Sequence, residues 1–162
     1  MGAHRLGPAL LALTLLVAGC SARTEGPSQA ARMVCEPEAQ HDIAIRTGVA
    51  VNQPVVPLWS DDTYSCRYSY PSGSFTLSVK EFPDVPTAAT YLDSEGRSRT
   101  AVTGLGDAAF TVPGGSVFVR KDTKVLHVDA GALPDSFGRP AVSRAEVARG
   151  IATVIMGCWS GD

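Results

Sequence analysis

The chain has no run of five or more lysines and arginines and no block of acidic residues, and its formal net charge is −2. A nucleic-acid footprint needs basic residues dense enough to neutralise phosphates, so no nucleic-acid partner is expected. Histidine is scarce, with three in the chain. No H-E-x-x-H and no Cys/His cluster supplies a ligand set, so neither a metal nor a cofactor is expected. No C-x-x-C is present, which argues against a thioredoxin-like redox pair. No G-x-S-x-G is present, which removes the nucleophile elbow of an α/β hydrolase. No internal repeat stands out. What remains is ordinary: 44% hydrophobic and 19% charged residues exclude a disordered chain, and 162 residues fit one domain after any targeting segment is removed.

The N-terminus carries such a segment. His4 and Arg5 give a weakly positive start, and "LGPALLALTLLVA" at 6–18 is an apolar run broken only by Gly7, Pro8 and Thr14. A membrane span needs roughly 20 apolar residues; this run has the proportions of a cleaved secretory signal. Val17-Ala18-Gly19-Cys20 resembles the bacterial lipobox, an aliphatic residue and two small residues before a cysteine. The cysteine is needed because its thiolate takes the diacylglycerol, and the small residues let the backbone lie extended in the peptidase cleft. Residues 1–19 are therefore read as a lipoprotein signal peptide and Cys20 as the lipidated first residue. Cleavage there leaves 13 basic and 16 acidic residues, a net −3. Two acyl chains, at about 0.8 kcal/mol per buried CH₂, hold the protein on the extracytoplasmic face of the cell membrane.

Residues 20–32, with Gly26, Pro27 and Ser28, read as a flexible tether, and 33–162 as a single domain. "VCEPEAQHDIAIRTG" at 34–48 predicts a first helix stopped by Gly48. Residues 49–62 are Pro-punctuated and read as a loop crossing the domain. "TYSCRYSY" at 63–70 alternates, with Tyr64, Cys66, Tyr68 and Tyr70 on one face. "PSGS" then turns into "FTLSVKEF", with Phe75, Leu77 and Val79 inward, which makes a hairpin. A second helix over 84–96 takes Asp84 as N-cap. "GLGDAAFTV", "SVFVRK" and "KVLHVDA" supply three further strands. Ser143 and Glu146 form a capping box for a last helix, on which Val147, Ile151, Val154, Ile155 and Cys158 share one face. The fold class is α+β: an antiparallel sheet with helices packed on one face, in the order α-β-β-α-β-β-β-α.

Beyond Cys20, three cysteines leave an odd count, so one disulfide and one free thiol are expected. Cys35 and Cys66 are the favoured pair, with Cys158 the rival partner for either. A structural, buried role for Cys158 is preferred to a redox or catalytic one. His127 and Asp129 lie two apart on an outward strand face, where an imidazole–carboxylate contact is imaginable, but no poised nucleophile accompanies them. His41 has no ligand partners in sequence. "GLGDAA" at 104–109 lacks the third glycine and the Lys-Ser/Thr of a phosphate loop and reads as a tight turn. Tyr64, Tyr68, Tyr70 and Phe75 read as core under helices rather than a stacking platform.

Cys35 in a first helix, "SCRYSY", "GLGDAAF" and a last helix ending "GCW" together resemble small actinobacterial envelope lipoproteins of unknown function. Their folds are similar to the α+β sandwich of the photosystem PsbP protein and Mog1. The resemblance covers roughly 33–159. It implies a non-enzymatic envelope domain with no catalytic residues to carry over, and a first-helix to first-strand disulfide, Cys35–Cys66. The cysteine in "GCW" departs from the two-cysteine pattern. The expected role is a membrane-anchored binding or accessory domain for an envelope protein or a small hydrophobic ligand. The alternatives are an extracytoplasmic hydrolase or a structural surface protein.

Overall fold

A computed structural model describes residues 26–96 and 98–159. The elements run α1 (Gln29–Met33), α2 (Pro37–Thr47), β1 (Pro57–Ser60), β2 (Thr63–Tyr70), β3 (Gly73–Glu81), α3 (Val85–Ser94), β4 (Thr100–Ala101) and β5 (Ala108–Val112). They continue with β6 (Ser116–Lys121), β7 (Lys124–Asp129), β8 (Ser136–Phe137), β9 (Val142–Ser143) and α4 (Arg144–Trp159). Without α1, β1, β4 and the small β8–β9 hairpin, this is the order read from the sequence, and the class is α+β. Among the described residues, no helix is long and apolar enough to cross a membrane.

Seven strands form one antiparallel sheet in the order β1-β2-β3-β7-β6-β5-β4. It consists of two meanders laid side by side. The chain leaves the first at β3, passes through α3 to the far edge, and works back until β7 pairs with β3, Leu77 opposite Val128 and Val79 opposite Leu126. Period-2 alternation sets the first meander: Tyr64, Cys66, Tyr68 and Tyr70 of β2 and Phe75, Leu77 and Val79 of β3 are buried on one face. Val117, Val119, Leu126 and Val128 continue that face, and Ala39, Ile43, Val147, Ala148, Ile151 and Ile155 of α2 and α4 cover it.

The helices do not all lie on one face, as the sequence reading expected. α3 packs on the other side, where Ala88 and Leu92 meet Phe110, Phe118 and Val125. The cause lies in β5–β7, where apolar residues stand next to one another, as in Val117-Phe118-Val119 and Val125-Leu126. Adjacent residues point to opposite faces, so these strands need cover on both sides. β2 and β3 alternate with Ser65, Arg67, Ser69, Thr76 and Ser78, and need cover on one side only.

Three more expectations are corrected. Residues 28–32, read as part of a tether, are folded: Ser28 caps α1 (Ala31 N–H to Ser28 Oγ, 3.2 Å), Ala31 is fully buried, and the Trp159 indole donates to the Ala30 carbonyl at 3.0 Å. A five-residue helix is too short to show a periodic signal, which is why the segment reads as linker. The loop at 49–62 contains β1, an edge strand in register with β2 from Pro57 opposite Cys66 to Ser60 opposite Thr63. A proline is tolerated there because the outer side of an edge strand has no ladder to complete. On α4, Val154 and Cys158 are half-buried, and the buried arc is carried instead by Ala148, Gly150, Ala152, Met156 and Trp159.

Candidate functional site

Cys20, read as the lipidation site, and residues 1–19, read as a signal peptide, lie outside the described residues. Cys35 and Cys66 form a disulfide, with Cα atoms 5.9 Å apart and 31 residues between them in sequence. Cys158 is the free thiol, half-buried rather than buried. Partial burial and the nearby Asp42 and Glu38 carboxylates push its thiol above the ordinary range. His41 is exposed, and among the described residues no group of three or more His, Cys, Asp or Glu gathers as for a metal.

His127 and Asp129 do not meet. Asp129 Oδ1 accepts from Ser116 Oγ at 3.1 Å and from the Gly131 N–H at 2.9 Å. His127 faces α3 rather than solvent; its ring stacks on Phe118 at 4.0 Å, and its Nε2 is buried with no partner among the described residues. The "GLGDAA" segment is a turn: Asp107 accepts from Arg120 at 3.0 Å and from the Asp122 N–H at 2.7 Å. The tyrosines of β2 are core. Tyr68 donates to the Val34 carbonyl at 2.6 Å and stacks on Phe75, and burial pushes the Tyr70 hydroxyl up to about 12.

A cavity of about 380 Å³ opens elsewhere, where three segments distant in sequence converge. α2 brings Arg46 in its last turn and stops at Gly48, whose φ of 68° is the left-handed conformation of a helix C-terminus. The segment entering β5 brings Val102, Thr103 and Leu105, and α4 brings Glu146, Arg149, Gly150 and Thr153. Those four recur at i, i+3, i+4 and i+7, one face of the helix. The capping box orients the start of that wall. Ser143 donates to Glu146 Oε2 through its N–H at 3.0 Å and its hydroxyl at 2.6 Å, and the Glu146 N–H donates back at 3.3 Å. These bonds, with Arg149 close by, hold the Glu146 carboxyl below its usual range.

Arg99, Arg120 and Arg144 each pair with an aspartate. Arg46 and Arg149 form no ion pair among the described residues. A smaller hollow adjoins the cavity, sharing Arg46, Val142 and Glu146 and adding Phe137, Pro140 and Val147. Arg46 and Glu146 thus line both, Arg149 belongs to the larger cavity alone, and the smaller hollow adds mainly apolar surface. Glu146 belongs to the capping box and Leu105 to the "GLGDAA" turn, neither of which points to a ligand, and Arg46, Thr103 and Arg149 belong to no motif. The single local trace is Gly150, a glycine inside an otherwise strongly periodic helix.

No family model matches the chain, and neither the curated proteins nor the solved structures provide a match.

Proposed function

We propose that this is a lipid-anchored envelope protein whose folded domain binds a small ligand or recruits an envelope partner without catalysing a reaction. The observation that carries the binding role is the groove between α2 and α4, where two arginines outside any ion pair line a cavity and an adjoining hollow that shares Arg46 adds Phe137, Pro140 and Val147. Concave sites with an apolar lining and a few convergent polar groups are the usual form of a ligand site. The location rests on the lipobox-like Val17-Ala18-Gly19-Cys20, and the Cys35–Cys66 disulfide suits an oxidising compartment outside the cytoplasm. The likeness to actinobacterial envelope lipoproteins belongs to this proposal and names no ligand. Of the pair a hydrolytic role would have used, Asp129 is engaged by Ser116 and Gly131, while His127 stacks under α3.

Two measurements test the proposal. Native mass spectrometry of the full chain, after incubation with an extract of the source envelope, is expected to retain a small-molecule mass or a bound protein. A bare protein under gentle conditions removes the binding role. Cys20→Ala is expected to move the protein from the membrane to the soluble fraction. If the variant still pellets with membranes at high salt, the anchor is wrong.

A further inference from the structure

We infer that the groove between α2 and α4 is an oxyanion site, in which the guanidiniums of Arg46 and Arg149 hold the phosphate or carboxylate head of a small amphipathic molecule. This rests on the binding role proposed above and gives it a ligand class.

The placement of Arg46 is the first argument. A glycine inside a helix costs about 1 kcal/mol relative to alanine, and Gly150 sits near the middle of the 16-residue α4. A Cβ there would lie 2.6 Å from Arg46 Nε, 2.7 Å from Nη2 and 2.8 Å from Cζ. The missing side chain is thus what lets the guanidinium lie against the helix. Arg46, an exposed residue, reaches across from α2 onto that spot.

Charge is the second argument. Arg149 lines the same cavity one residue from Gly150, so two like charges share one wall without a salt-bridge partner. The one carboxylate on the wall, Glu146, is bonded to Ser143. Two cations and one anion leave the wall at +1 in a chain of net −2. An anion between the arginines relieves their mutual repulsion and takes charge-assisted bonds from both. The planar guanidinium fork suits the two-oxygen edge of a carboxylate or phosphate. The hydroxyl of Thr103 can donate to a remaining oxygen, whereas that of Thr153 already donates to the Arg149 carbonyl at 2.9 Å.

The shape of the groove limits the rest of the ligand. Val102, Leu105 and Val142 line the cavity beside the arginines, and the adjoining hollow, which shares Arg46, Val142 and Glu146, adds Phe137, Pro140 and Val147. A small molecule with an anionic head and a short apolar body finds both kinds of surface here. Inorganic phosphate alone would use only the arginines and leave the apolar lining uncovered.

The test uses the full chain purified in detergent, titrated with inorganic phosphate and separately with succinate at constant ionic strength. NMR shifts of the Arg46 and Arg149 Nε–H groups and of the Gly150 and Thr103 amides report binding. Saturable shifts at these four positions are expected with at least one of the two anions, and the tighter one identifies the head group. Arg46→Gln and Arg149→Gln should each weaken binding about tenfold, the effect of losing a hydrogen bond to a charged group. Gly150→Ala keeps both charges and favours the helix, so its Tm should hold or rise while binding weakens about threefold or more through displacement of Arg46. Arg67→Gln, on the open face of β2, should change nothing. Absence of saturation with both anions, or equal binding by wild type and the Arg46→Gln/Arg149→Gln double variant, overturns the assignment. If native mass spectrometry retains a molecule whose binding survives both arginine changes, the oxyanion assignment fails and the binding role stands.

Discussion

His127 is the residue at which burial and chemistry conflict most. Register places it opposite Ser78 of β3 and Phe118 of β6, so its ring extends the aromatic row of Phe110 and Phe118 beneath α3. Its Nε2 is buried without a partner among the described residues. Loss of hydration holds its pKa below the ordinary value, against an opposing pull from the Asp129 and Glu95 carboxylates. The sign of the stability effect follows. The unfolded chain takes up the proton first, near pH 6.5, while the folded protein resists it until a lower pH. Stability from this group is therefore complete above about pH 6.5 and declines as pH falls toward the folded pKa. His127→Phe keeps the stack and removes the titration. Thermal melts over about pH 7 to pH 5 should show a smaller loss of Tm for the variant than for wild type. Parallel profiles would mean that the imidazole is hydrated and plays no part.

At the scale of elements, the second face of the sheet is held by one short helix. α3 has ten residues and buries only Ala88 and Leu92. Leu→Ala at a buried site costs about 2–5 kcal/mol, depending on how far the cavity collapses. Leu92 should fall toward the lower end, since the cluster it joins is small and close to solvent. Leu92→Ala is expected to lower the denaturant midpoint accordingly, with hydrogen exchange accelerated first in α3 and at Phe118. Uniform acceleration across α4 and β2 as well would show that both faces unfold as one unit. The helix itself was legible in Asp84 and its glycine stop, as the β2–β3 hairpin was in its alternation and the start of α4 in Ser143 and Glu146, but its place on the second face was missed, although the neighbouring apolar residues of β6 and β7 require cover there. What was not legible has a common cause. α1, β1, β4, β8 and β9 have two to five residues each, too few for any period, and exist because a neighbour supplies partners. The groove is harder still to read, because Arg46, Thr103 and Arg149 come together only through the fold and share no spacing.

The whole molecule joins an oxidised domain to an N-terminal segment with a cysteine of its own, and its thiols report on both. The Cys35–Cys66 bond ties the start of α2 to the core of β2. Closing a loop of that length restricts the unfolded chain by about 3–4 kcal/mol on the chain-entropy account. Reduction should therefore lower Tm without altering the native strand register. Of four cysteines, two are in the disulfide and Cys158 is free, which leaves Cys20 to decide the count. Protein purified from its native host, denatured without reductant and alkylated, should take one label if Cys20 carries lipid and two if it keeps its thiol. Signal cleavage beyond Cys20 also gives one label, so the intact mass must show the acyl chains as well. Under native conditions the Cys158 label should arrive slowly, because partial burial and the carboxylates of Glu38 and Asp42 disfavour its thiolate. One slow label together with an acylated mass would establish both the anchor and the pairing. Two labels would detach the domain from the membrane while leaving its fold and its groove as described.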